Sequence, residues 1–406
     1  MGRTRIGAVT DIISGVGFPV DMQGQSSGDL PFLKVSDLRS ADRTVVRAAN
    51  FVSRVQAREL GARICPSGTV VFPKVGGALL TNLRRTLGVE AVFDNNVMGL
   101  VPRSVDSDWL YYQMCAIDLA ALANTQSLPS IRQSQVDLIP IDPPPLDEQR
   151  RIAARLREQL HDVDGLVASA TAQHDELAHL RTRVYETAFP TTPLSVAAES
   201  AGPDGWTWQS LGSLGRLESG HTPSRSRPDW WGGDIPWIAL PDIRALDGRQ
   251  VFETQEHTNP EGIAHSAARV LAAGTVVLSR TASVGFVTIM GRPMATSQDF
   301  VNWVCGPDLD PEFLMHLFIR SRERFRSLSA GAVHQTVYFP TAMALRVCVP
   351  SIDAQRQIVE RLREQLAEID RAKAALEMQR KAVDALPAAL LHEVFRADGP
   401  ASGRVR

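Results

Sequence analysis

Two groups of residues in turn-rich stretches carry the side chains best suited to gripping a polar, phosphate-bearing polymer. In the first half of the chain these are Lys34, Ser36, Lys74, Asn82, Arg84, Arg85, Asn95, Asn96, Gln126, Ser127, Ser130 and Arg132. In the second half they are His221, Thr222, Ser224, Arg225, Arg227, Arg280, Ser283, Ser297, Gln298, His334, Gln335 and Thr336, with Trp230 and Trp231 beside them. Arg can hold two acceptors of guanine at once, Asn and Gln can do so with adenine, and Ser or Thr can bond phosphate oxygens. For any one of these residues a solvated or turn-forming side chain is the plainer reading. The Trp pair reads as a packing wedge, because duplex DNA offers few exposed base faces. Arg320, Arg322, Arg324 and Arg326 fall on one predicted helix, whose spacing spreads them over more than one face as a mixture of solvent charges and phosphate contacts.

Patterns for bond-making chemistry are missing. The nine His are spread without metal-ligand spacing, and Cys65, Cys115, Cys305 and Cys348 include no close pair, which excludes a zinc site or a disulfide framework. No Gly-x-x-x-x-Gly-Lys phosphate loop occurs. Asp142-Pro143-Pro144 begins like the Asp-Pro-Pro-aromatic signature of amino-methyltransferases, but Pro145 stands where the base-stacking ring would be. No Gly-rich loop follows a strand to hold a nucleotide. The residues point to a binding protein that holds no cofactor, rather than to an enzyme.

A chain of 406 residues with 44% hydrophobic content can build two to three domains with real cores. It has no apolar run of about 18 residues and no signal-peptide pattern, so a cytoplasmic location is expected. The net charge is −2, with 39 Arg against 4 Lys, an excess that a GC-rich genome also produces. Residues 1–143 hold 14 basic and 13 acidic side chains, and 206–349 hold 13 of each. Nucleic-acid binding would therefore rest on local patches.

The elements that must position these loops repeat. Leu146 to Phe189 aligns without a gap to Ile352 to Phe395, with 15 of 44 positions identical, and RLREQ at Arg155–Gln159 recurs at Arg361–Gln365. Alternating steps of four and three give a first helical seam of Ile152, Leu156, Gln159, Val163, Leu166, Ala170, Gln173, Leu177, Leu180 and Val184. The second copy gives Ile358, Leu362, Gln365, Ile369, Ala372, Leu376, Gln379, Val383, Leu386 and Leu390. Five heptads with charged outer positions predict a coiled coil, and 44 residues make a rod of roughly 65 Å. The Gln positions read either as tolerated interruptions or as register markers. Pro387 predicts a kink or a restart with Asp384 as cap.

The segments ahead of the rods repeat more faintly. Ser14-Gly15 matches Ser219-Gly220, Pro31 and Asp37 match Pro236 and Asp242, and Gly68-Thr69-Val70-Val71 matches Gly274-Thr275-Val276-Val277. Thr69–Phe72, Thr275–Leu278 and Phe286–Ile289 read as strands, and 109–123 and 311–328 as helices. The fold class is α+β: two similar modules separated by two long antiparallel coiled-coil helices in a pseudo-twofold tandem repeat. The expected divisions are 1–143, a first rod 144–190, a linker 191–205, 206–349, a second rod 350–396 and a tail 397–406.

In its second module the chain reads SGHTPSRSRPDWWGGDIPWI, GTVVLSRTASVG, ATSQDF and GAVHQTVYF in order, and the rods begin PPPLDEQRRI and VPSIDAQRQI. With that order around a duplicated helix, the sequence resembles the specificity subunit of type I restriction-modification systems over nearly its whole length. The first module matches less well, lacking the Trp pair and showing Asp94-Asn95-Asn96 in place of ATSQ. The resemblance implies two target-recognition modules that read the halves of a bipartite duplex, with rods that set the spacer. It also implies two methyltransferase subunits docked on modules and rods, AdoMet held by those subunits, and restriction/translocase subunits joined through them. A coiled-coil scaffold that binds no DNA would show no salt-dependent binding. A self-contained methyltransferase would bind AdoMet alone.

Overall fold

The computed structural model describes residues 3–124, 128–190, 193–197, 201–329 and 336–396. The expected tail, 397–406, lies outside them. The chain divides into two compact units, Met1–Thr171 with Met378–Arg406, and Ala172–Glu377. Both mix strands and helices. No helix among the described residues is long and apolar enough to cross a membrane.

In unit 1, short apolar runs bounded by Gly, Pro and Asp form strands β1 (Thr10–Ser14), β2 (Leu30–Leu33), β3 (Thr44–Val45), β4 (Asn50–Val52), β5 (Val70–Pro73), β6 (Arg85–Leu87), β7 (Val92–Phe93) and β8 (Val97–Pro102). They make a five-stranded sheet ordered β1-β8-β5-β6-β3 and a three-stranded sheet ordered β4-β2-β7. Residues of β2 and β5 are buried throughout, which explains why these strands read as continuous apolar runs rather than alternating ones.

Unit 2 has β9 (Gly215–Ser219), β10 (Trp231–Ile238), β11 (Gln250–Val251), β12 (Glu256–Thr258), β13 (Val276–Ser279), β14 (Val287–Met290), β15 (Ala295–Thr296) and β16 (Phe300–Cys305). Two of its sheets are ordered β9-β16-β13-β14-β11 and β12-β10-β15. Raising every label of unit 1 by eight reproduces both orders.

The repeated residues turn out to hold backbone. Asp37 accepts from the Lys34 and Ala49 amides, as Asp242 does from Ala239 and Gln255. The hydroxyls of Thr69 and Thr275 each donate at 2.7 Å to a carbonyl three residues back. Helices α1 (Ser107–Cys115) and α3 (Pro311–Arg320) start on the caps Asp106 and Asp310, whose carboxylates accept from the amides two and three residues on. Helix α1 is shorter than expected because Asn82 accepts from the Leu119 amide and donates to Asp118, which diverts the chain into turns. The stretch expected as one helix over 311–328 breaks at Ser321.

The long helices are α2 (Leu146–Ala188) and α4 (Ile352–Arg396). Each begins in one unit and ends in the other. Gln149 and Gln355 are fully buried where they start: Gln149 accepts from the Asp106 amide and donates to the Pro144 carbonyl, and Gln355 accepts from Asp310 and donates to Pro350. The Gln of each EQR or AQR phrase thus clamps a long helix to the short one before it. In unit 1, Leu390, Leu391, Val394 and Phe395 of α4 pack on the core around Trp109 and Leu156; in unit 2, Tyr185 of α2 and Phe189 just past its end share a core with Val359, Leu362 and Leu366. Pairing of Arg181 with Asp370 in unit 2, and of Arg380 with Thr171 in unit 1, sets the segments antiparallel within each unit.

The seam differs from expectation. The rows Leu156, Val163, Ala170 and Leu362, Ile369, Leu376, Val383 are buried, and Leu177, Val184 and Ile152 are half-buried. The partner row lies one residue later than expected in each helix: Leu160, Val167 and Arg181, with Ala153 ahead of them, and Val359, Leu366 and Pro387. Leu166 at 47%, Leu180 at 38% and Leu386 at 37% exposure stand on the outer flank, as does Gln365; Gln159 and Ile358 lie half-buried at its edge. The Gln residues therefore fix no register in the interior. Helix α4 runs through Pro387 without restarting, at the cost of the one amide that would have met the Val383 carbonyl.

Candidate nucleic-acid interface

Four backbone bonds build the same node in both units. In unit 1, Val16 N donates to Phe93 O, Asp94 N to Leu33 O, Lys74 N to Asn96 O and Ile131 N to Lys74 O, at 2.8 to 3.1 Å. In unit 2, His221 N donates to Thr296 O, Ser297 N to Ile238 O, Arg280 N to Asp299 O and Val337 N to Arg280 O, at 2.9 to 3.1 Å. The loop after the first strand passes so close to the hairpin that a Cβ on Gly15 would lie 1.9 Å from the Asp94 carbonyl oxygen, and one on Gly220 2.0 Å from that of Ser297. Only glycine allows this approach. One cation leaves the centre of each node, Lys74 or Arg280.

Around Arg280 the structure gathers His221, Thr222, Gln298 and Thr336. Arg280 Nε donates to the Gln298 carbonyl at 3.1 Å, the Thr222 hydroxyl donates to the Gln298 side-chain oxygen, and Thr336 bridges Thr281. The terminal guanidinium nitrogens of Arg280 make no bond among the described residues, which leaves a planar pair of donors for an acceptor edge. Beside them Arg225 lies 3.9 Å over the Trp231 ring and 4.9 Å over Trp237 while binding both oxygens of Glu256 at 2.5 and 2.8 Å; this holds the Glu256 carboxyl below the usual range. Arg227 grips Asp229 at 2.9 and 2.6 Å over Trp230. These two cations are matched in place and hold a wall of Trp rings; Ser224 joins it by accepting from Trp231 Nε1 at its carbonyl. The Trp pair packs as a wedge, Trp231 edge-on to Trp237 and Trp230 stacked on His265.

In unit 1, the Lys74 amide donates to the Asn96 carbonyl, the exposed Asn95 stands between Asp94 and Asn96, and Arg132 follows Ile131 directly. Lys34 lies one residue beyond Leu33, donates to Gln23 Oε1 at 2.7 Å and sits 5.2 Å over the Phe18 ring, with Ser36 exposed in the next helix.

Several expected contacts are corrected. Arg84 is 2% exposed and its guanidinium donates to the Ile117 carbonyl beneath α1, so it reaches no ligand; burial holds its pKa down. Arg85 is bound to the Ala41 and Arg84 carbonyls at 2.8 Å, and Ser283, 4% exposed, accepts from Arg244. Asn82 is the turn fastener described above. Arg322 binds Asp247 and the Gly285 carbonyl rather than projecting outward. Gln126, Ser127, His334 and Gln335 lie outside the described residues. Tyr338, 55% exposed and two residues past Thr336, was passed over in the sequence although it ends the phrase HQTVY, the place Arg132 holds in unit 1.

Residues 203–380 match the domain family described as Type I restriction modification DNA specificity domain. The specificity subunit of type I restriction enzyme MjaIX from Methanocaldococcus jannaschii is 26% identical over 176 residues, covering 43% of this chain and 40% of that subunit. The matched stretch is thus about two fifths of that curated relative. A chain solved in work on complex assembly and conformational transition of the type I R-M system superposes with a TM-score of 0.76 at 16% identity, covering 98% of both chains. The HsdS subunit from Thermoanaerobacter tengcongensis gives 0.64 at 17% identity, covering 98% and 97%. At that identity the likeness is one of fold. The stretch matched by the family, 203–380, takes in both of the unit 2 sheets described above.

Proposed function

We propose that this chain is the DNA-reading subunit of a type I restriction-modification complex, a tandem repeat with pseudo-twofold symmetry in which each node reads one half of a bipartite target. The observation that carries this reading is the recurrence of the same four backbone bonds around a single outward cation, Lys74 in one unit and Arg280 in the other. In unit 2 the bases are read by Arg280 with His221, Thr222, Gln298 and Thr336, the last joined by Tyr338; in unit 1 they are read by Lys74, Lys34, Asn95 and Arg132. The long helices set the distance between half-sites, near one turn of duplex or roughly 34 Å, and their outer flanks, with Leu166, Leu180 and Leu386, offer apolar surface to two methyltransferase subunits. Those subunits flip the target adenine and hold AdoMet, restriction/translocase subunits join through them, and this chain makes no bonds of its own.

Mapping methylated adenines across the host genome by single-molecule sequencing tests this: one gapped motif is expected, and its absence beside active partner genes refutes the proposal. Binding of a matching duplex is expected to weaken steeply as salt rises, and AdoMet is expected to leave the melting of the isolated chain unchanged.

A further inference from the structure

The two units differ beneath the loop that precedes the edge strand. In unit 1, Arg43, just ahead of β3, turns inward; it lies 4.8 Å from the rings of both Tyr111 and Tyr112, bonds the Tyr112 hydroxyl at 3.1 Å and pairs with Asp108. In unit 2 the residue just ahead of β11 is Arg249. It is exposed; Glu312, the counterpart of Asp108, pairs with Arg363 at 2.7 Å as Asp108 does with Arg157, but among the described residues it has no second arginine as Asp108 has in Arg43. The space that an inward arginine fills in unit 1 is open in unit 2 as a cleft of about 270 Å³ reaching Tyr185, Met315 and His316. It shares Arg181, Gly248 and Asp370 with an outer cleft of about 350 Å³ lined by Arg249 and Lys373.

The carboxylates of the outer cleft are taken: Asp370 by Arg181 at 3.0 Å and Asp247 by Arg322 at 2.7 Å. Arg249 and Lys373 make no ion pair among the described residues, so two uncompensated cations face a cavity whose deeper end is partly apolar. Like charges brought together favour an anion between them, and clefts of this size suit small molecules. We infer that this cleft binds a phosphorylated small molecule of nucleotide size, its phosphate held by Arg249 and Lys373 and its organic part seated toward Tyr185 and Met315.

The test is a titration of the full chain with AMP, following the His316 imidazole by NMR and the melting of unit 2. Both are expected to shift. Arg249→Gln combined with Lys373→Gln is expected to weaken AMP at least about tenfold while leaving duplex binding intact. Inorganic phosphate is expected to bind more weakly than AMP and to leave His316 unmoved. Silence of both readouts at millimolar AMP, undiminished AMP binding by the double variant, or phosphate matching AMP would overturn the inference. Displacement of AMP by a short duplex would overturn it too, assigning the cleft to the nucleic-acid backbone.

Discussion

Unit 1 and unit 2 share strand order, caps, buried glutamines and the four bonds of the node, yet scarcely a side chain that leaves the node is the same. Where unit 1 places three lysine and arginine cations, Lys34, Lys74 and Arg132, unit 2 has Ala239, Arg280 and Tyr338, and it adds a Trp wall whose arginines are already matched by Glu256 and Asp229. The backbone bonds specify where a side chain leaves the node; the side chains specify what chemistry stands there. A scaffold that delegates in this way can change that chemistry with few substitutions and little cost in stability.

The largest expected difference between the units appears in acid. Burial pushes the His316 imidazole down to about 4, and its ring nitrogen faces the Tyr185 hydroxyl at 3.0 Å; unit 1 has Tyr112 at that place. A folded-state value below the unfolded one means the stabilisation is complete above about pH 6.5 and is lost as pH falls toward 4, a loss on the order of 3 kcal/mol. Hydrogen exchange is expected to show unit 2 opening before unit 1 in this window, and His316→Gln to narrow the gap. Unchanged exchange across the window would break the contrast.

Next, Arg280→Ala is expected to weaken recognition of one half-site by about 2 kcal/mol, roughly thirtyfold, and Lys74→Ala to weaken the other by less, since a lone ammonium lacks the paired donors. Competition between duplexes altered in one half at a time measures this. Equal losses in both halves would show that the nodes do not act separately. Gln149→Leu and Gln355→Leu probe what the units share: each leaves a cap amide and a carbonyl without partners, so each is expected to cost roughly 1 to 2 kcal/mol in denaturant titrations, nearly alike. The smallest effect concerns one turn. Gly76 in unit 1 has φ +81°, while its counterpart Ala282 has φ +60°. Ala282→Gly is expected to raise unit 2 stability by somewhat less than about 1 kcal/mol, and Gly76→Ala to lower that of unit 1 by more.

The long helices, the strand cores and the shared strand order were legible because they rest on apolar periodicity and on repeated glycines, threonines and aspartates that only a common backbone requires. The inner face of the rods was half legible. The positions that continue its second row carry His174, Arg181, Lys373 and Arg380, of which only Arg181 is half-buried and the others are exposed, so a count of apolar residues favoured the flank that carries Leu166 and Leu180. Side-chain type also failed to separate readers from fasteners. Arg84, Arg85, Asn82 and Ser283 have the chemistry of base contacts, but their partners are carbonyls, an aspartate and an arginine distant in sequence, which no local pattern reveals.

Because α4 ends inside unit 1, the Trp109 ring meets Phe395 in a T-shaped contact, across most of the length of the sequence. Unit 1 is therefore laced from two separate stretches, whereas unit 2 is the single stretch Ala172–Glu377. A recombination that imported a new unit 1 without the turn of α4 that carries Leu390, Leu391, Val394 and Phe395 would leave its interior ajar, so successful shuffling must carry both stretches together.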